Sequence, residues 1–259
     1  MLRNIKLTIE YDGRDFKGWQ TQAVSNAQAP AKEQRTVQNE IEKVLKKLFK
    51  RTIHLIGSGR TDSGVHALGQ VANFKTTSVM PVEKMQRALN ANLPADIAVI
   101  KAEDVSKDFH ARYHVKSKTY RYTILNRPGR CALQKNFVLH CPHKLNLRSM
   151  REEAKFLVGR HDFKSFAASP AKEQKIRKIN TVRTIKRLVI AKKGDFIQCD
   201  IEANGFLYRM VRNIIGTLLD IGSGKTPRGS IKRILAQKDR TKAGATAQPH
   251  GLALLEVKY

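Results

Sequence analysis

The stretch FLYRMVRNIIGTLLDIG, residues 206–222, constrains this chain more than any other. Leu207, Met210, Val211, Ile214, Ile215, Leu218 and Leu219 recur there at helical spacing. So broad an apolar stripe predicts a helix over 206–219, ended by Gly222, that must bury most of its surface against another layer. The segments around it supply that layer. IKLTIEYDG alternates, with Ile5, Leu7, Ile9 and Tyr11 on one side and Lys6, Thr8 and Glu10 on the other. That period-2 pattern predicts a half-buried strand.

The same grammar continues along the chain. The small, polar stretch 20–35 reads as a mobile loop. Thr36 is placed as an N-cap, and Val37, Ile41, Val44, Leu45 and Leu48 predict an amphipathic helix with a basic outer face. Residues 69–76 read as a strand and 82–91 as a short helix. Residues 117–126 form another strand, with Tyr120, Tyr122 and Ile124 on one side. A helix over 147–158 precedes a hairpin that turns at Lys193-Gly194-Asp195. Helices mixed with antiparallel strands in both halves predict an α+β protein of two related halves, 1–105 and 106–259, divided near residues 103–108.

Charge narrows the partners. Lys and Arg number 49 against 22 Asp and Glu, a formal net charge of +27. A field of that sign attracts polyanions, nucleic acid above all. No stretch approaches the roughly 18 apolar residues of a spanning helix, and the alternating N-terminus does not resemble a signal peptide. A cytoplasmic protein with no membrane association is expected. Cys131, Cys141 and Cys199 are too few and scattered for a disulfide framework and read as small apolar filler.

Against this background the loop GSGRTDSGVHALGQ, residues 57–70, sets a carboxylate, Asp62, among glycines. A phosphate cradle is excluded: the positions after G-x-x-x-x-G are Val65 and His66, not the lysine and hydroxyl that hold phosphate and magnesium. Asp62-Ser63-Gly64 also matches the aspartic-protease triplet, which needs two carboxylates sharing a proton. Arg60 stands two residues away, and a nearby cation favours the ionised form instead. A plain turn, with the aspartate bonding backbone N–H groups, is the third reading. The fourth is a nucleophile held out on a turn.

The 206–219 helix bears on the choice. Arg209, Arg212, Asn213 and Gly216 fall at i, i+3, i+4 and i+7 on its second face. Arginines on a helix this apolar are expected to be buried, and a buried arginine needs a carboxylate. In a chain poor in acids, Asp62 is a candidate partner.

These residues carry a resemblance. YDGRDFKGWQ (11–20), RTVQNEIEKVL (35–45), GSGRTDSGVHALGQVANF (57–74), LNANLPADI (89–97), FHARYHVKSKTYRY (109–122), HDFKSF (161–166), GFLYRMVRNIIG (205–216) and AQPHGL (247–252) stand in order, and together they resemble the tRNA pseudouridine synthase A family over nearly the whole chain. Ser63 replaces the family's usual alanine, and AQPHGL departs from its A-P-A-x-G-L. The resemblance implies the pseudouridine synthase fold, two ferredoxin-like halves with a mainly antiparallel sheet flanked by helices. It implies isomerisation of adjacent uridines on the 3′ side of the anticodon loop and stem (tRNA positions 38, 39 and 40), by a homodimer that spans tRNA and uses no cofactor or metal.

The same resemblance assigns roles. Asp62 becomes the carboxylate that starts cleavage, by attack on C1′ or by removal of the 2′ proton; the sequence leaves both open. Arg209 takes the position of its ion-pair partner. Tyr120 matches the tyrosine that packs on the flipped base and assists removal of the C5 proton. Arg60 is placed to fill the gap left by that base or to bind its phosphate, Leu252 to wall the pocket, and Arg212 to bind substrate. An RNA-binding protein without chemistry is the competing reading, and it has no need of Asp62. His66, His110 and His114 lack ligand-spaced companions and read as core or RNA-facing histidines. The basic stretches 43–51, 112–121 and 175–187 together form a phosphate-binding surface.

Overall fold

A computed structural model describes residues 1–20, 35–168 and 180–259; the polar stretch 21–34 lies outside them, as does part of the basic stretch 175–187. The chain groups into two compact units. The first comprises Met1–Lys116 with Ala253–Tyr259, the second Ser117–Leu252.

The first unit runs β1 (Arg3–Tyr11), α1 (Val37–Phe49), β2 (Ile56–Gly57), β3 (His66–Thr76), α2 (Val82–Asn90) and β4 (Ile97–Val105). β1 pairs antiparallel with both β3 and β4, Leu7 facing Ala72 on one side and Ala102 on the other. β2 pairs with the far edge of β3. This β-α-β-β-α-β order, with β1 central, is a ferredoxin-like half. The alternation seen in the sequence is the cause of the layering, since Ile5, Leu7, Ile9 and Tyr11 are all buried. Val37, Ile41 and Leu45 of α1 and Met85 and Leu89 of α2 are buried as well. Thr36 caps α1 as expected, its side chain accepting from the Asn39 N–H at 3.3 Å. The chain's last strand, Leu252–Lys258 (β10 in chain order), returns to this unit, with Ala253 and Leu254 parallel to His66 and Ala67 of β3.

The second unit runs β5 (Ser117–Asn126), β6 (Leu139–Cys141), α3 (Leu147–Ala154), β7 (Gly159–Asp162), β8 (Val182–Lys193), β9 (Phe196–Ala203), α4 (Met210–Gly222) and α5 (Ser230–Gln237). Its sheet order is β5-β9-β8-β7, all antiparallel, with β6 parallel on β5. The β8–β9 hairpin turns at Gly194, whose φ of +58° suits glycine. Met150, Phe163, Phe166, Ile214 and Leu218 are buried with Tyr122, Ile124 and Cys199.

Two expected helices end differently. The helix from Leu147 closes at Ala154 and tightens into a 3₁₀ turn over Lys155–Leu157. The apolar helix begins only at Met210, and Gly222 is its last helical residue, with Ser223 as the cap. No helix among the described residues is long and apolar enough to cross a membrane.

Candidate active site

In the first unit the loop between β2 and β3 holds Asp62, and nearly every neighbouring position is tied down. Ser58 donates its N–H to the Val71 carbonyl at 2.7 Å and its hydroxyl to Gln70 Oε1 at 2.6 Å. Gln70, fully buried, returns its amide N–H to the Gly59 carbonyl at 3.0 Å. The Thr61 carbonyl accepts from Trp19 N–H at 3.2 Å, and its hydroxyl lies 2.7 Å from that of Tyr11. Ser63 Oγ donates to the Phe16 carbonyl at 3.1 Å, and Val65 N–H donates to the Asp62 carbonyl at 3.2 Å. Asp62 itself is half-buried at the crest.

The YDGRDFKGWQ segment forms the floor of this loop. Gly18, at φ +95°, lies so close that a Cβ there would meet the Thr61 carbonyl oxygen at 2.5 Å. The Gly13 N–H donates to His66 Nδ1 at 3.0 Å, and Asp12 Oδ1 lies 3.2 Å from the same nitrogen. His66 is therefore a buried structural histidine. Burial pushes the Asp12 carboxyl up, but bonds from the Arg14 side chain and backbone, with His66 nearby, hold it below the usual carboxylate range. Arg60 is exposed, its Nε donating to Gln20 Oε1 at 2.6 Å.

In the second unit Tyr120 lies on β5 opposite Ile201, buried, its ring edge-on to Phe206 at 5.1 Å. Tyr122 is a core residue whose hydroxyl donates to the Gln248 carbonyl at 2.8 Å. Desolvation raises its pKa.

Arg209 corrects the helical-face expectation. It is not on the helix with Arg212 but at its N-cap, exposed, with left-handed φ of +57° and ψ of 12°. That single dihedral swings residues 206–208 out of the helix. Phe206 then reaches Tyr120, the Tyr208 carbonyl accepts from Ala168 N–H, and the Arg209 guanidinium lies 4.9 Å over the Tyr208 ring. A non-glycine residue in this region stores about 1 kcal/mol or more of strain, and such residues concentrate at functional sites.

The remaining polar face of α4 binds backbone. Arg212, 9% exposed, donates from Nε to the Ala247 carbonyl at 2.7 Å, and the Ala247 N–H donates to the Arg212 carbonyl at 3.1 Å. Asn213 donates to the Phe166 carbonyl at 2.7 Å and accepts from Thr246 Oγ1 at 2.6 Å and Arg240 at 2.9 Å. Gly216 approaches the Ala245 carbonyl so closely that a Cβ would stand 1.7 Å from it. The face read as an arginine stripe thus clamps residues 243–248, the segment leading through a 3₁₀ turn to buried Leu252.

Sequence reasoning passed over Gln70, Trp19 and Phe206. A glutamine at a buried register position of a strand was the available signal for the first, and an adjoining tryptophan and glycine for the second. Among the described residues no group of three or more His, Cys, Asp or Glu is arranged to hold a metal.

A family model described as tRNA pseudouridine synthase matches residues 7–114 and 154–259. The chain is 46% identical over 258 residues to a tRNA pseudouridine synthase A of Thermoanaerobacter sp. (strain X514), covering the whole of both. It is similar over the whole of both chains to tRNA pseudouridine synthase A 2 of Clostridium perfringens (strain 13 / Type A), at 46% identity, and to tRNA pseudouridine synthase A of Caldicellulosiruptor saccharolyticus, at 47%.

Proposed function

The chain belongs to the tRNA pseudouridine synthase family, and on that premise we propose that it isomerises adjacent uridines in the anticodon stem-loop of tRNA with Asp62 as the carboxylate that starts the reaction. Substrate and product contain the same atoms at the same oxidation level, so no cofactor is needed. The N1–C1′ bond of the uridine breaks, the uracil turns, and a C5–C1′ bond forms. The C5 proton leaves and N1 gains one. A base in a folded arm must first leave its stack, at a cost of about a few kcal/mol.

That chemistry requires a carboxylate at a sugar carbon, as in glycosidases, to be held in place and ionised, and Asp62 is the carboxylate assigned to it. What carries the reading is the loop itself, in which Ser58, Gly59, Thr61 and Ser63 are each bonded to buried or backbone partners on either side of Asp62. Such restraint pre-orders a reacting group, whereas a surface turn has no use for it. Arg209 is assigned to pair with the carboxylate, Tyr120 to pack on the base and assist loss of the C5 proton, Arg60 and Arg212 to hold substrate, and Leu252 to wall the base. The working form is assigned as a homodimer.

Mapping pseudouridine by carbodiimide labelling and primer extension, after incubating unmodified tRNA with wild type or Asp62→Ala, tests the assignment. Stops in the anticodon arm with wild type and none with the variant, which still binds tRNA, are expected. Stops that persist with Asp62→Ala would remove the carboxylate from the mechanism. No stops with either protein would leave an RNA-binding protein without this chemistry.

A further inference from the structure

Outside the loop of Asp62, the first unit fixes a second segment with unusual thoroughness. Two buried asparagines reach up from the sheet. Asn4 donates to the carbonyls of Ser106 and Phe109, both at 2.9 Å, and Asn73 accepts from the Ala111 N–H at 2.9 Å while donating to Asn4. Tyr259 at the other end of the chain donates its hydroxyl to the Ala111 carbonyl at 2.8 Å and sets its ring 4.9 Å from Phe109. The Lys116 N–H donates to the Lys258 carbonyl. The turn over residues 110–114 therefore stands on a rigid base.

What this base presents is an aromatic ring in water. Tyr113 is 73% exposed, and the His110 ring stacks on it, centroids 4.2 Å apart at 29°. His110 Nδ1 accepts from the backbone N–H groups of Arg112 and Tyr113, which locks the stack to the turn. The Arg112 guanidinium lies 5.8 Å from the Tyr113 centroid, and Lys107, His114 and Lys116 are exposed alongside, with Asp108 the single acid between 106 and 116. An exposed, pre-ordered aromatic amid cations is how proteins hold unpaired nucleobases: the ring stacks and the cations hold the backbone.

We propose that the Tyr113–His110 stack is a platform for an unpaired base of the RNA substrate, a proposal that rests on the tRNA reading above. A base already stacked in a duplex offers no free face, so the platform selects looped or splayed-out nucleotides. Tyr113 is thereby given a part in binding and none in the bond-breaking steps.

The test compares wild type, Tyr113→Ala and Tyr113→Trp in binding a hairpin with an unpaired uridine-rich loop and a blunt duplex of the same stem. Tyr113→Ala is expected to weaken hairpin binding roughly tenfold and leave duplex binding, and the dependence of affinity on salt, as in wild type. Tyr113→Trp is expected to retain hairpin affinity. Equal losses on both RNAs, or none on either, would overturn the platform. So would a change in sedimentation of the free protein with Tyr113→Ala, which would mark the ring as a contact between copies of the chain. Pseudouridine mapping with wild type separates the two levels. Its failure sinks the tRNA reading, whereas its success beside an indifferent Tyr113→Ala sinks only the platform.

Discussion

Arg209 holds a left-handed backbone that glycine would adopt at no steric cost, and it carries the guanidinium assigned to Asp62. Stability and activity should then part company at this one position. Arg209→Gly is expected to raise the unfolding free energy by about 0.5–1 kcal/mol while lowering tRNA modification by about 100-fold or more. Chemical denaturation and single-turnover modification assays check the two halves, and a variant that loses stability would remove strain from the account. The position of Arg209 was not legible in the sequence. The apolar period runs unbroken through Leu207, Met210 and Val211, and arginine is an ordinary helical residue, so nothing local marks the break. Asp62, by contrast, could be singled out as a candidate, because a carboxylate flanked by glycines and an arginine in a basic chain admits few readings and its motif removes most of them.

At the scale of elements, the end of β1 is tied to the start of β3 through Asp12, Arg14, Gly13 and His66. The carboxyl of Asp12 titrates below its ordinary value in the folded chain. Its contribution is therefore fully present above the unfolded-state value, near pH 4, and is lost as pH falls through the lower folded value. Asp12→Asn should flatten the acid limb of stability below about pH 4 and leave the neutral limb's slope unchanged, as read from urea denaturation across pH. A steeper acid limb in the variant would assign the acid sensitivity elsewhere. Strands β1, β3, β5, β8 and β9 and helices α1–α4 were readable from their apolar patterns, whereas β2, β4, β6, β7, β10 and α5 were not read. The tightening of α3 after Ala154 and the clamp of α4 on residues 243–248 were not readable either. The clamp depends on which carbonyl stands opposite Arg212, Asn213 or Gly216, and no spacing within the helix reports that.

For the molecule as a whole, a net charge of +27 works in opposite directions on folding and on binding. Self-repulsion lowers stability and attraction to phosphate raises affinity, and salt screens both. Raising salt from roughly 50 to 200 mM should increase the melting temperature yet weaken tRNA binding by about a thousandfold if about six phosphates are neutralised. Thermal unfolding and filter binding over the same salt series measure both, and a flat binding curve would leave the charge without a polyanion to serve. Composition made this much readable. It did not reveal that the first compact unit closes with Ala253–Tyr259, because nothing in LALLEVKY names its neighbour.

That return has a consequence on the ribosome. The first 116 residues are made before the second unit, but the strand that pairs with the edge of β3, and the Tyr259 hydroxyl that pins Ala111, are made after it. At roughly 5–20 residues per second, synthesis of the intervening unit takes about 7 to 27 seconds. During that interval the edge of β3 at His66 and Ala67 has no β10 beside it, and the turn that bears Tyr113 lacks one of its anchors. The first unit thus acquires β10 and the Tyr259 anchor only after the whole second unit has been synthesised.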